Sequence, residues 1–83
     1  MAQHITVSGA IDQDIATPLT LTALQIAVGG FIHFVELSSG DLMVVNEASR
    51  DGLGFHNPTA SSLAGKAGPI YGDVILCSPS EIA

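Results

Sequence analysis

The run Phe31-Ile32-His33-Phe34-Val35-Glu36-Leu37 is followed, after Ser38-Ser39-Gly40-Asp41, by Leu42-Met43-Val44-Val45. Both runs are rich in β-branched and aromatic residues, and the four residues between them are turn formers at hairpin length. An antiparallel hairpin over residues 31–45 is therefore the element that least admits another reading, and every other segment has to pack on it. The expected core is Ile32, Phe34 or Val35, and Val44, joined by Leu24 and Ile75 from outside the hairpin.

Residues 4–7, His4-Ile5-Thr6-Val7, alternate polar with apolar and read as a strand at a sheet edge, ended by Ser8-Gly9. Residues 10–18 have little periodicity, and Pro18 disfavours helix at Thr17, so they form a loop or a short extension of that strand. Leu21, Leu24 and Val28 fall at helical spacing between Thr20, a good N-cap, and Gly29, a good left-handed stop, which predicts a helix over residues 21–28. Residues 46–56 carry Asn46, Asp51, Gly52 and Gly54 without apolar period and read as a loop. Asn57-Pro58 supplies an N-cap and a first-turn proline for a second helix of about two turns, closed by Gly65. After Gly68-Pro69, Val74-Ile75-Leu76-Cys77 reads as a last, buried strand before a short tail.

The order strand, helix, hairpin, helix, strand implies an α+β fold: a small, mostly antiparallel sheet built on a central hairpin with two short helices. Two helices are too few for both faces of a parallel sheet, so both are expected on one side. A chain of 83 residues makes a single domain, 1–83, burying about 60 to 65% of its unfolded surface.

Apolar residues make up 47% of the chain and charged residues 12%, against roughly 25% charged in an average globular protein. That imbalance predicts a homo-oligomer. Residues 19–37 match a membrane span in length but contain Thr20, Thr22, Gln25, Gly29, Gly30, His33 and Glu36, which excludes a transmembrane helix there. The first nine residues alternate in polarity and carry no Lys or Arg, so no secretory signal is expected and the location is taken as cytoplasmic. Cys77 has no partner for an internal disulfide and sits in an apolar run, as a buried small hydrophobe rather than a nucleophile. Eight acidic residues face only Arg50 and Lys66, for a net charge of −6. This argues against nucleic-acid polymers and anionic membrane surfaces, both of which are held by clustered cations.

Several short motifs recur in a recognisable order: Leu24-Gln25, then Val28-Gly29-Gly30-Phe31-Ile32, Leu42-Met43-Val44-Val45-Asn46-Glu47, Asn57 with Ala60, and Ile70-Tyr71-Gly72-Asp73-Val74. Together they resemble a family of small phage and bacterial proteins, domain of unknown function 3846, over residues 21–76. The sequence departs from that pattern in its N-terminal segment and at Gly52-Leu53-Gly54-Phe55-His56. The resemblance implies a phage-borne accessory protein and brings no catalytic residues with it; interference with a host defence pathway, which small phage proteins often perform, is added by analogy of context.

Enzymatic constellations are poor. His4, His33 and His56 lack neighbouring Cys or paired carboxylates at ligand spacing, so no metal site is expected. Ser61 or Ser62, His56 and Asp73 could form a trio, but a Ser-rich chain offers such sets by composition and no nucleophile elbow is present. The chain is read as a non-enzyme without a cofactor. Asn46 and Glu47 are expected to bond the loop backbone, and Asp73 to cap N–H groups ahead of the last strand.

Residues 50–62 have the strongest functional claim. They set Arg50 near Phe55 and His56 and before the helix N-terminus at Asn57 and Thr59, where unpaired N–H groups can hold a phosphate. Phe55 and Tyr71 offer stacking faces, and Lys66 adds a second cation. The competing reading is a capped helix after a surface loop, with Phe55 plugging the core. The candidate ligand-binding set is Arg50, Phe55, His56, Asn57, Thr59, Lys66 and Tyr71. The leading function is sequestration of a small phosphorylated immune signal, of cyclic-nucleotide or ADP-ribose type. The rivals are an acidic inhibitor that binds a host defence enzyme and a structural oligomeric module built on an exposed strand edge.

Overall fold

The computed structural model describes residues 2–83. Five strands form one antiparallel sheet: β1 (Gln3–Ile5), β2 (Ile11–Asp12), β3 (Ile32–Glu36), β4 (Leu42–Asn46) and β5 (Val74–Cys77), in the spatial order β2-β1-β5-β4-β3. Helix α1 (Leu21–Val28) joins the first hairpin to the second, and α2 (Pro58–Ala64) lies between β4 and β5. The α+β architecture matches the sequence reading, with the hairpin β3-β4 in register from Ile32↔Asn46 to Glu36↔Leu42. The middle position, however, belongs to β5, which slots between β1 and β4 and joins the two hairpins.

Helix α1 starts and stops where its signals stand. The Thr20 side chain accepts from the Ala23 N–H at 3.1 Å, and Gly29 ends the helix at φ 80°, a conformation that side chains with a Cβ rarely take. Gly30 must also lack a side chain, because a Cβ there would lie 3.0 Å from Asn46 Nδ2. That amide donates to the Val28 carbonyl at 3.0 Å while its oxygen accepts from the Ala48 N–H at 2.9 Å, so Asn46 bonds the local backbone as expected.

The helices lie on opposite faces, which corrects the expectation of one side. Leu24 of α1 packs with Val44, Ile75 and Cys77, while Ala60 of α2 packs with Met43, Val45, Val74 and Ile5. Neighbouring residues along β4 and β5 point to opposite faces, so these two clusters are separated by the sheet itself. An unbroken apolar strand such as Leu42-Met43-Val44-Val45 is the signature of burial on both faces.

Three further expectations change. First, β1 is not an edge: residues 11 and 12 fold back as β2 and pair with it, Ile5↔Ile11 and His4↔Asp12. Second, the stretch read as loop contains a 3-10 helix, Glu47–Asp51, capped by Asn46. Third, of the expected core, Leu24, Val44 and Ile75 are buried, Ile32 and Val35 are half-buried, and Phe34 is 43% exposed. The last difference follows from β3 being an outer strand with nothing packed beyond it. Cys77 is buried, and its burial, aided by the Glu81 and Asp41 carboxylates, pushes the thiol above its ordinary pKa.

Truncating Leu24 or Ile75 to Ala should cost about 2 to 5 kcal/mol. Phe34→Ala should cost well under half of that. Thermal and urea melts of the three variants give the comparison, and equal losses at all three sites would contradict the burial pattern.

Candidate functional site

The site is assembled by three segments that meet at one end of the sheet. The 3-10 helix carries buried Ser49 and exposed Arg50. The outer hairpin contributes His33, Val35 and Val45, and residues 67–71 close the other side. Between them lies an open groove of about 320 Å³ lined by His33, Ser49, Arg50, Ile70 and Tyr71 among others.

Hydrogen bonds from short polar side chains hold these segments together. Ser49 Oγ accepts from the Tyr71 N–H at 3.0 Å, which fixes the 3-10 helix against the strand that follows α2. Ser61 Oγ accepts from the Ile70 N–H at 2.8 Å and lies 3.2 Å from the Ile70 carbonyl, tying α2 to the same segment. The Gly72 N–H donates to the Phe55 carbonyl at 2.7 Å and the Asn57 N–H to the Ile70 carbonyl at 2.9 Å, around an antiparallel bridge between His56 and Tyr71. The His56 and Tyr71 rings meet edge to face, 5.8 Å between centroids and 65° between planes.

Asn57 is the buried centre of this arrangement, with no exposed surface. Its Oδ1 accepts from the Ala60 N–H at 3.0 Å, and its Nδ2 donates to the carbonyls of Ile5 at 3.2 Å and Gly72 at 2.9 Å. Both amide protons and the oxygen are thus committed to the fold, and Asn57 joins α2, β1 and the approach to β5. Of the candidate set, Asn57 thus serves the fold, and it does not line the groove. Most of the helix N-terminus behind it is spent as well. Pro58 has no N–H, Asn57 takes the Ala60 N–H, and the Ser61 N–H bonds to the Asn57 carbonyl, which leaves the Thr59 N–H as the one first-turn donor not taken up in this way.

Of the seven candidates, the groove unites Arg50 and Tyr71, with His56 against the Tyr71 ring. Phe55 is 81% exposed, so it neither plugs the core nor lines the groove. Lys66 is exposed on the 3-10 turn Gly65–Ala67, whose Ala67 does line it. Thr59 faces away, its Oγ1 4.0 Å from where a side chain on Gly9 would begin. Ser49 and His33 are contributors outside the sequence-derived candidate set, and Ser61, weighed in the sequence only as a member of a catalytic trio, acts here as a backbone tie. The serines could have been suspected from their place just after an Asn cap, where short hydroxyls bond backbone.

The hypothetical catalytic trio is only half assembled. Ser61 Oγ lies 3.1 Å from His56 Nε2, but Asp73 Oδ1 accepts from the Val7 N–H at 3.0 Å, on the side of β1. Asp73 therefore caps a backbone N–H of the first hairpin rather than one ahead of its own strand. Among the described residues, no group of three or more His, Cys, Asp and Glu is placed to hold a metal ion, and no helix is long and apolar enough to cross a membrane.

No family model, no curated protein and no solved structure matches the chain. The resemblance of its central motifs to the uncharacterised phage family rests on those motifs alone.

Asn57→Ala should destabilise the protein by about 2 to 4 kcal/mol, since it removes a helix cap and the buried amide that donates to the Ile5 and Gly72 carbonyls. Phe55→Ala should stay within about 0.5 kcal/mol of the parent, as exposed substitutions do. Urea denaturation of both variants tests the assignment, and a harmless Asn57→Ala would refute it.

Proposed function

We infer that this chain is a non-catalytic binding protein, and that its ligand is a small phosphorylated, nucleotide-like molecule held in the groove between Arg50 and Tyr71. The observation that carries the reading is the meeting of these two side chains in one hollow of about 320 Å³. A guanidinium is the side chain best suited to a phosphate, because its fork of N–H groups donates two parallel bonds. A tyrosine ring supplies an apolar face for a base. Ligand sites start at about 300 Å³, which suits a mononucleotide-sized body. The second cation of the chain, Lys66, is on the turn whose next residue, Ala67, lines the groove, but only Arg50 of the two lines it itself.

Sequestration needs only stoichiometric binding, with no cofactor and no metal. That agrees with Ser61, whose hydroxyl spans the two backbone groups of Ile70. With the phage context that the motif resemblance implies, the role is depletion of a host immune messenger, of cyclic-nucleotide or ADP-ribose type, in the host cytoplasm. A second reading, an acidic inhibitor of a host enzyme, is favoured by a different observation. Leu53 and Phe55 stand 61% and 81% exposed on one loop of a chain with net charge −6, an arrangement that suits insertion into a basic partner.

Calorimetry against cyclic dinucleotides, cyclic trinucleotides and ADP-ribose derivatives separates the two readings. Arg50→Ala should weaken the ligand that binds by about 1.5 to 3 kcal/mol, roughly ten- to hundredfold, without changing the melting temperature. If no compound binds more tightly than about 1 mM, the groove reading fails and the inhibitor reading stands in its place.

A further inference from the structure

The outer edge of β3 is a row of unsatisfied backbone groups. The Glu47 N–H donates to the Phe31 carbonyl at 2.8 Å and the Leu37 N–H to the Asp41 carbonyl at 3.0 Å, which sets the phase of the hairpin ladder. In the register His33↔Val45 and Val35↔Met43, the odd-numbered residues exchange their bonds with β4. The N–H and C=O groups of Ile32, Phe34 and Glu36 therefore turn outward, and no strand lies beyond them in the sheet.

Proteins normally blunt such an edge with lysine, proline, a bulge or brevity. The opposite edge follows that rule, since β2 is two residues long and ends in Asp12. By contrast β3 runs five residues without Lys or Pro, pairs with β4 without a bulge, and shows Phe34 at 43% and the adjoining Phe31 at 73% exposure. An unbulged, aromatic edge without Lys or Pro is suited to pairing.

We propose that β3 pairs with β3 of a second copy of this chain, antiparallel about a two-fold axis at Phe34, so that two five-stranded sheets become one. The strand is self-complementary in this register. Phe34 meets Phe34 of the other copy, Ile32 meets Glu36, and His33 meets Val35, so no like charges stand opposite each other. The one charge on the strand, Glu36, is four residues from its symmetry mate along the axis, about 14 Å at 3.4 Å per residue. That exceeds the screening length of roughly 8 to 10 Å at physiological salt. An unrelated peptide strand would satisfy the same backbone groups, but only a second copy also aligns the face on which His33 and Val35 line the Arg50 groove. The two grooves then adjoin across the axis.

The test is the mass of the purified chain by light scattering at concentrations on the order of 100 µM, with Phe34→Lys and Ile26→Lys as variants. Ile26 is 77% exposed on α1, away from the edge. The expected result is twice the 8.5 kDa of the chain for the parent and for Ile26→Lys. Phe34→Lys, which sets two like charges opposite each other, should weaken the dimer by on the order of 100-fold or more. Circular dichroism should show the fold of Phe34→Lys unchanged. If that variant is unfolded, Glu36→Pro, which removes one outward N–H and leaves the β4 ladder intact, replaces it. A monomeric parent overturns the proposal, and so does a dimer that survives the edge substitutions or is lost with Ile26→Lys. The ligand panel reads separately, because a dimer that binds nothing refutes only the groove.

Discussion

Everything else in this fold is arranged around the strand Val74–Cys77, which is paired on both edges and covered on both faces. Its register fixes the first hairpin through Ile5↔Val74 and the second through Val44↔Ile75. Its alternating side chains feed two cores at once, Ile75 and Cys77 under α1, Val74 under α2. A strand in that position is recruited last along the chain, so the two hairpins have to be held open for it at the right separation. Asn57 performs that spacing at one end by donating to Ile5 on β1 and to Gly72 just before β5 while it caps α2. With an apolar fraction of 47% and few charges, the chain builds this from dispersion and burial, with short polar side chains closing the backbone gaps. Among the described residues, no buried side-chain nitrogen or oxygen is left without a partner.

Local structure was legible wherever a local rule decides it. Thr20 and Gly29 mark the two ends of α1, Asn57, Pro58 and Gly65 those of α2, and the hairpin sits where its turn residues place it. These signals act over three or four residues, which is why they can be read from spacing alone. The placement of β5 at the centre and of the helices on opposite faces depends on contacts between residues far apart in sequence, and no local rule carries that information. A partial signal existed in Leu42-Met43-Val44-Val45, since a strand apolar at successive positions asks for cover on both faces. The pattern of a strand therefore says more about its cover than the number of helices does.

The candidate site divides in the same way. Arg50 and Tyr71 are 21 positions apart and come together because Ser49 accepts from the Tyr71 N–H, a contact that the sequence hides. Asn57 was correctly legible as a cap, and that same role removes it from binding, because a buried amide with all its groups bonded has none to offer a ligand. The helix N-terminus lost most of its donors through the same residue and through Pro58. A capping motif and an anion site thus look alike in sequence, and only the bond inventory separates them.

That division separates the residues that carry the fold from those that could carry binding. Asn46, Ser49, Asn57, Ser61 and Asp73 are short, and each bonds a backbone group across a gap between elements. Arg50 and Lys66 are long and exposed on 3-10 turns, that of Arg50 held in place by Asn46 and Ser49. Tyr71 belongs to both sets, its N–H held by Ser49 while its ring borders the groove. Substituting the short residues should therefore move stability first and any binding only through it, whereas changing Arg50 leaves the scaffold intact. In a chain with two cations, this separation makes the groove accessible to experiment, because its charge can be removed without touching what builds it.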